Sequence, residues 1–181
     1  MYLLIGIDAT IFQLINGSWT NPFFDLVMPL ITELGSGEAL FLISALCIIL
    51  RKKKDKGALA ILLFAGLTIT YYAVTFLKVL VARPRPFILM PDSHLFIIEK
   101  SFSFPSNHAA QSFMAATVLS GFFAAWRMPL FIIAVLVCYS RIYLGVHFLS
   151  DVAAGAFIGI LAGYGLLRFA RSTGLTEERA F

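Results

Sequence analysis

Three short stretches carry side chains able to handle a phosphate group: KVLVARPRP from Lys78 to Pro86, FPSNHA from Phe104 to Ala109, and SRIYLGVHFLSD from Ser140 to Asp151. Lys78, Arg85 and Arg141 supply positive charge, and the two guanidinium groups are planar forks that match phosphate oxygens. Ser106 adds a hydroxyl donor, and a helix opening after Asn107 would add unpaired amides at the positive end of its dipole. His147 and Asp151 are four residues apart, so on a continuous helix the carboxylate lies one turn from the imidazole and can fix its tautomer. An imidazole held in that way is prepared as a nucleophile or a base. His108 has no carboxylate at comparable spacing and is suited to passing a proton to a leaving group.

Each cluster also has a plainer reading. Lys78 and the arginines are placed to anchor at lipid headgroups, Pro105-Ser106-Asn107 to form a turn and helix cap, and His147 with Asp151 to be a satisfied buried pair. Cations dominate, and neither paired carboxylates nor closely spaced histidines offer a cage, so neither a metal site nor a cofactor is expected. Arg83, two residues before Arg85, and Tyr143, two after Arg141, lie near enough to touch a headgroup but carry no assigned role. His94, in MPDSHLF, reads as a solvated loop residue.

The elements that must position these groups are membrane helices. Of 181 residues, 60% are hydrophobic and 13% charged, and the mean hydropathy is +0.89, which excludes an ordinary water-soluble globule and a disordered chain. Spans are expected at Gly57–Leu77, His108–Trp126, Met128–Gly145 and Ser150–Phe169, with a shorter one at Ser36–Leu50. Residues 2–16 and 22–34 are apolar but short, and each holds an acidic residue. They read as interfacial or half-inserted helices, with a sixth span as the alternative, and Gly35-Ser36-Gly37 is the break after them. The expected fold is therefore an all-α polytopic membrane bundle of five to six transmembrane helices, forming one domain over residues 1–181. Within it, residues 36–169 form the core bundle and 170–181 a cytoplasmic tail. No signal-peptide pattern opens the chain.

Charge sets the orientation. The net charge of +4 is matched by the loop Arg51–Lys56 alone, with five basic residues and one acidic. A short basic loop between apolar runs reads as a topology signal, so nucleic acid is not an expected partner. With that loop inside, Arg127, Arg168, Arg171 and Arg179 also fall inside, and Arg83, Arg85 and Lys100 outside. All three phosphate-handling clusters then share the outer face. Cys47 and Cys138 lie in apolar runs and read as packing residues. Gly155, Gly159 and Gly163 repeat every four residues, which suits close helix packing within the bundle; a homodimer through this face is the alternative.

The three stretches resemble the signature of the type 2 phosphatidic acid phosphatase family, relatives of the vanadium haloperoxidases, written K-x-x-x-x-x-x-R-P, P-S-G-H and S-R-x-x-x-x-x-H-x-x-x-D. Lys78, Arg85 and Pro86 match the first, and Ser140, Arg141, His147 and Asp151 the third. The second departs only at Asn107, where glycine is usual, which bears on substrate fit. The resemblance implies a metal-independent lipid phosphatase without cofactor, in a bacterial inner membrane with its site facing the periplasm. It implies His147 as the nucleophile that becomes phosphohistidine, Asp151 as its orienter and His108 as general acid and base. Lys78, Arg85, Ser106, Asn107 and Arg141 would bind phosphate. The implied partners are membrane lipids and a lipid phosphate substrate. Undecaprenyl diphosphate comes first, because FQLINGSWTNPFFDLVMPLIT is similar to the N-terminal pattern of bacterial recycling phosphatases; phosphatidylglycerol phosphate, phosphatidic acid and lipid A phosphate follow. An anion or lipid transporter gives no reason for the His147–Asp151 spacing. A silent family member would lack a motif residue, and haloperoxidase chemistry leaves the spans unexplained.

Overall fold

The computed structural model describes residues 2–51 and 53–176, so Lys52, and Arg179 with the rest of the expected tail beyond residue 176, lie outside the described residues. Among the described residues the chain is all helix and connection, without strands. Helix α1 (Tyr2–Gln13) runs into a π-helical turn at Leu14–Ser18 and is followed by α2 (Pro22–Glu33) and α3 (Gly37–Leu50). The long α4 (Lys53–Val81) and the single turn α5 (Pro86–Leu89) precede a loop that reaches α6 (Asn107–Phe122). A 3-10 turn at Ala124–Trp126 then leads to α7 (Arg127–Tyr143) and α8 (Leu149–Ser172).

Local chemistry explains the helix starts. Asn21 caps α2 by accepting from the Phe24 amide at 3.0 Å, with Pro22 in the first turn; Ser36 caps α3 by accepting from Ala39 at 3.2 Å. At α8, Asp151 in the first turn accepts from the Phe148 amide at 2.8 Å and places negative charge at the positive helix end. The expected span ending at Trp126 is corrected: α6 stops at Phe122, and residues 124–126 form a separate turn. The span expected to end at Gly145 stops at Tyr143, because Gly145 adopts φ +83°, a left-handed conformation that breaks the helix. A side chain at Gly145 would also strike the His94 carbonyl.

Among the described residues, three helical segments are long and apolar enough to cross a membrane: Asp55–Leu89, Ala124–Tyr143 and Leu149–Ser172. Helices α2 and α3, bent by 63° at the expected Gly35-Ser36-Gly37 break, make a fourth if taken as one broken span. Helix α6 is shorter and occupies the middle of the bundle, with residues 109–122 buried throughout. It packs on α8, α4 and α7. Leu59, Leu62 and Leu63 of α4 meet Met114, Val118 and Leu119 of α6 and Leu167 of α8 in the main core. The outer helices expose Leu46, Ile61, Phe76, Val135 and Phe157, an apolar exterior that suits hydrocarbon.

The glycine repeat of α8 faces α6. A Cβ at Gly155 would meet the Ser106 carbonyl, at Gly159 the Ala110 carbonyl and at Gly163 the Thr117 side chain, so the stripe serves packing within the chain. The clash at Gly159 is with backbone on both sides and cannot be relieved by a rotamer change. Gly159→Ala should therefore destabilise the protein by about 1–3 kcal/mol, as overpacking does. Gly165, with nothing near its Cβ position, should accept alanine without loss. Thermal unfolding of the two variants in detergent measures the difference.

Candidate active site

Three chain segments meet at one end of the bundle. Lys78 lies in the last turn of α4, His108 in the first turn of α6, Arg141 in the last turn of α7, and Asp151 in the first turn of α8. The basic loop is at the other end of α4, about 37 Å away at 1.5 Å per residue. Lys78, Asn107, His108 and His147 line one cavity of about 200 Å³ together with Tyr71, Thr75, Glu99 and Ser101.

The two arginines are almost completely enclosed, each 1% exposed. Arg85 is satisfied by the loop after α5. Its Nε donates to the Ser101 carbonyl at 2.6 Å, Nη1 to the Val146 carbonyl at 2.8 Å, and Nη2 to Glu99 Oε2 at 2.6 Å and Ser101 Oγ at 2.9 Å. Arg141 donates through Nη1 to Thr32 Oγ1 at 2.9 Å and through Nη2 to Glu99 Oε1, while its buried Nε has no partner. Lys78 Nζ donates to the carbonyls of Phe102 and Ser103. Such buried charges persist only where acceptors replace water.

His147 is 1% exposed and sits between the two signs of charge. Its Nδ1 lies 3.5 Å from Asp151 Oδ2 and 3.4 Å from Ser103 Oγ, and its Nε2 lies 3.4 Å from Arg85 Nη1. A proton on Nδ1 facing the carboxylate leaves the Nε2 lone pair toward the arginines. Asp151 is itself held by four groups: Arg83 Nη1 at 2.6 Å, Ser103 Oγ, the Phe148 amide and His147. Ser106 occupies the cap position of α6 as expected, but its hydroxyl makes no side-chain cap bond; the Oγ is buried and unpartnered, as is Asn107 Oδ1.

Several contributors were not assigned from sequence. Glu99 bridges Arg85 and Arg141. Ser103 touches both His147 and Asp151, and Arg83 links Asp151 to Asp8 of α1, with its guanidinium 4.3 Å over the Phe148 ring. Asp8 also accepts from the Ser150 amide at 2.9 Å. Tyr143 is turned away from the cavity: its hydroxyl donates to Asp25 of α2 at 2.5 Å. The exposed His94 exchanges backbone hydrogen bonds with the Asn16 side chain and sets its ring edge-on to Phe96. Among the described residues no group of three or more His, Cys, Asp or Glu is arranged to hold a metal ion. Cys47 and Cys138 are free thiols.

The family model of the PAP2 superfamily matches residues 57–174, which contain every cavity residue named above. The chain belongs to the PAP2 superfamily. It is 33% identical over 177 residues to a lipid A 4'-phosphatase of Bacteroides thetaiotaomicron, covering 89% of this chain and 76% of that one. It is 31% identical over 157 residues to an undecaprenyl-diphosphatase of Sulfolobus acidocaldarius, covering 86% and 74%. Among solved structures it is similar to Aquifex aeolicus LpxE, with a TM-score of 0.75 and 37% identity over 90% of this chain and 95% of that one. It is also similar to a transmembrane PAP2-type phosphatidylglycerolphosphate phosphatase from Bacillus subtilis, with a TM-score of 0.78 and 26% identity over 99% and 90%. This PAP2 protein is therefore a membrane lipid phosphatase.

Burial pushes the His147 imidazole well below its ordinary value; the Asp151 hydrogen bond acts upward, and Arg141 and Arg85 press it further down. The folded protein thus keeps His147 neutral as the pH falls past the ordinary value of about 6.5, while the unfolded chain takes up a proton there. The sign follows: His147 costs stability progressively below that pH and nothing above it. Nitrogen-15 NMR of labelled histidines should find the His147 ring neutral at pH 6, and a charged ring at that pH would show that the Asp151 hydrogen bond outweighs burial.

Proposed function

We propose that the cavity hydrolyses the terminal phosphate of a membrane lipid, with His147 as nucleophile. The observation that carries this reading is the setting of His147: Nδ1 faces Asp151 and Ser103, Nε2 faces the buried Arg85, and the ring lines a cavity with Lys78 and His108. Nε2 attacks phosphorus, the bond from phosphorus to the lipid oxygen breaks, and His108 donates its proton to that oxygen. His108 then takes a proton from water as the water oxygen attacks the phosphohistidine, which releases orthophosphate and restores Nε2. Lys78, Arg85 and Arg141, with Ser106 and the first amides of α6 at Asn107, bind the phosphoryl oxygens and stabilise their growing charge. Asp151 orients His147 and balances the charge on its ring.

Lipid access is supported by an open groove between α3 and α4, lined by Phe41, Phe64, Leu67, Tyr71 and Tyr72. Tyr71 belongs to both the groove and the cavity, so a chain in the groove would hand its phosphate to the cations. The charge partition supports an active site on the exterior, or periplasmic, face of a bacterial inner membrane. Undecaprenyl diphosphate is the first substrate by the similarity of the N-terminal pattern. A phosphate on lipid A is the second reading, favoured by 33% identity to the Bacteroides enzyme that carries that name.

Purified protein with excess chelator, offered polyprenyl, glycerolipid and lipid A phosphates, should release orthophosphate and rank the substrates. His147→Ala should lower turnover by at least about a thousandfold while the protein stays folded, and undiminished turnover would remove His147 from the mechanism. Vanadate, which mimics five-coordinate phosphorus, should inhibit. Loss of activity in chelator that a divalent ion restores would overturn the metal-free scheme. Replacing His108 should cost most on lipids with poor leaving groups and least on an activated aryl phosphate; equal losses would deny its acid role.

A further inference from the structure

Glu99 stands where a phosphate would have to go. Its two oxygens bind separate guanidiniums, Oε2 to Arg85 Nη2 at 2.6 Å and Oε1 to Arg141 Nη2, and its side chain lines the cavity with Lys78, His108 and His147. The arginines are 1% exposed at their side chains, whereas Glu99 is 28% exposed and belongs to the irregular segment between α5 and α6. Its neighbour Ile98 is 76% exposed. The cations are therefore fixed, and the carboxylate is the member of the set that has room to leave. The carboxylate also serves them incompletely, since Arg141 Nε stays buried without an acceptor. A phosphoryl group brings more oxygens and, as a dianion, more charge than a carboxylate.

We propose that Glu99 is a built-in competitor for the phosphoryl site: it holds Arg85 and Arg141 together in the resting enzyme, yields to the substrate phosphate, and returns as orthophosphate leaves. The inference rests on the reading of these cations as the phosphoryl site. Tethering gives the carboxylate a high effective concentration, so it weakens every competing anion by the same factor, the reciprocal of the fraction of time the site is open. That common factor separates a competitor from a residue that touches the substrate, whose loss would change each ligand differently. Without Glu99 the two enclosed guanidiniums would lose the carboxylate they share, which any anion in the medium would exploit. Return of Glu99 as the product departs keeps orthophosphate from lingering.

The test compares the wild type with Glu99→Gln, which keeps the shape and removes the charge, and with Glu99→Asp, which keeps the charge and shortens the reach. Calorimetry with orthophosphate and with vanadate gives affinities independent of turnover, and lipid hydrolysis gives KM and kcat. In Glu99→Gln the two dissociation constants and KM should fall together by at least about tenfold, within a factor of about two of one another, without a rise in kcat. Glu99→Asp should fall between. Unchanged or weaker anion binding in both variants, or changes that differ widely among the three ligands, would overturn the proposal. Wild-type protein that binds orthophosphate but releases none from any lipid would instead overturn the hydrolase reading and leave the Glu99 comparison intact.

Discussion

The whole cavity end of this protein answers one requirement: two guanidinium groups are held out of water at the end of an apolar bundle. A permanent charge in that position is tolerated only if fixed acceptors surround it. Arg85 is met by the carbonyls of Ser101 and Val146, by Ser101 Oγ and by Glu99, and Arg141 by Thr32 and Glu99. These acceptors come from α2, from the segment between α5 and α6, and from the turn between α7 and α8. The need to neutralise two side chains thus draws together parts of the chain more than a hundred residues apart. The setting of His147 is a by-product of that neutralisation, since the same turn carries His147 and the same segment carries Ser103.

The N-terminal helices belong to this arrangement. Acidic residues in short apolar stretches pointed to shallow, interfacial helices. Asp8 is 4% exposed, pairs with Arg83, and reaches Asp151 through it. Asp25 accepts from Tyr143, and Asn16 ties the π-helical turn to the carbonyl of Tyr143. Helices α1 and α2 therefore brace the turn that carries His147.

Much of the site was legible because its chemistry is local. Lys78, Arg85, Arg141, His108, His147 and Asp151 stand out as ionisable residues where hydrocarbon should be, and their membership of one end follows from alternating spans. The helical class and the break at Gly35-Ser36-Gly37 were legible for the same reason, in apolar length and punctuation. The roles of Glu99, Ser103 and Arg83 were not. Each lies in a polar connection where a charge or hydroxyl costs nothing in sequence terms, and each gains its meaning from a contact at a separation of more than ten residues. In sequence, helix α6 reads as an ordinary span, because apolarity does not distinguish a lipid-facing helix from one enclosed by its neighbours. Only its many small residues, Ala109, Ala110, Ala115 and Ala116, hint that others approach it closely.

The contact between α6 and α8 has a bearing on how this site can evolve. His108 begins one helix and Asp151 lies in the first turn of the other, and the Ser106 amide donates directly to the Asp151 carbonyl at 2.9 Å. With glycine on one side and carbonyls on the other, main chain rests on main chain, with little side-chain cushion between. The offset between His108 and Asp151 is therefore set by main-chain packing. Lipid-facing residues can drift to suit a new membrane or a new chain length while that offset stays put.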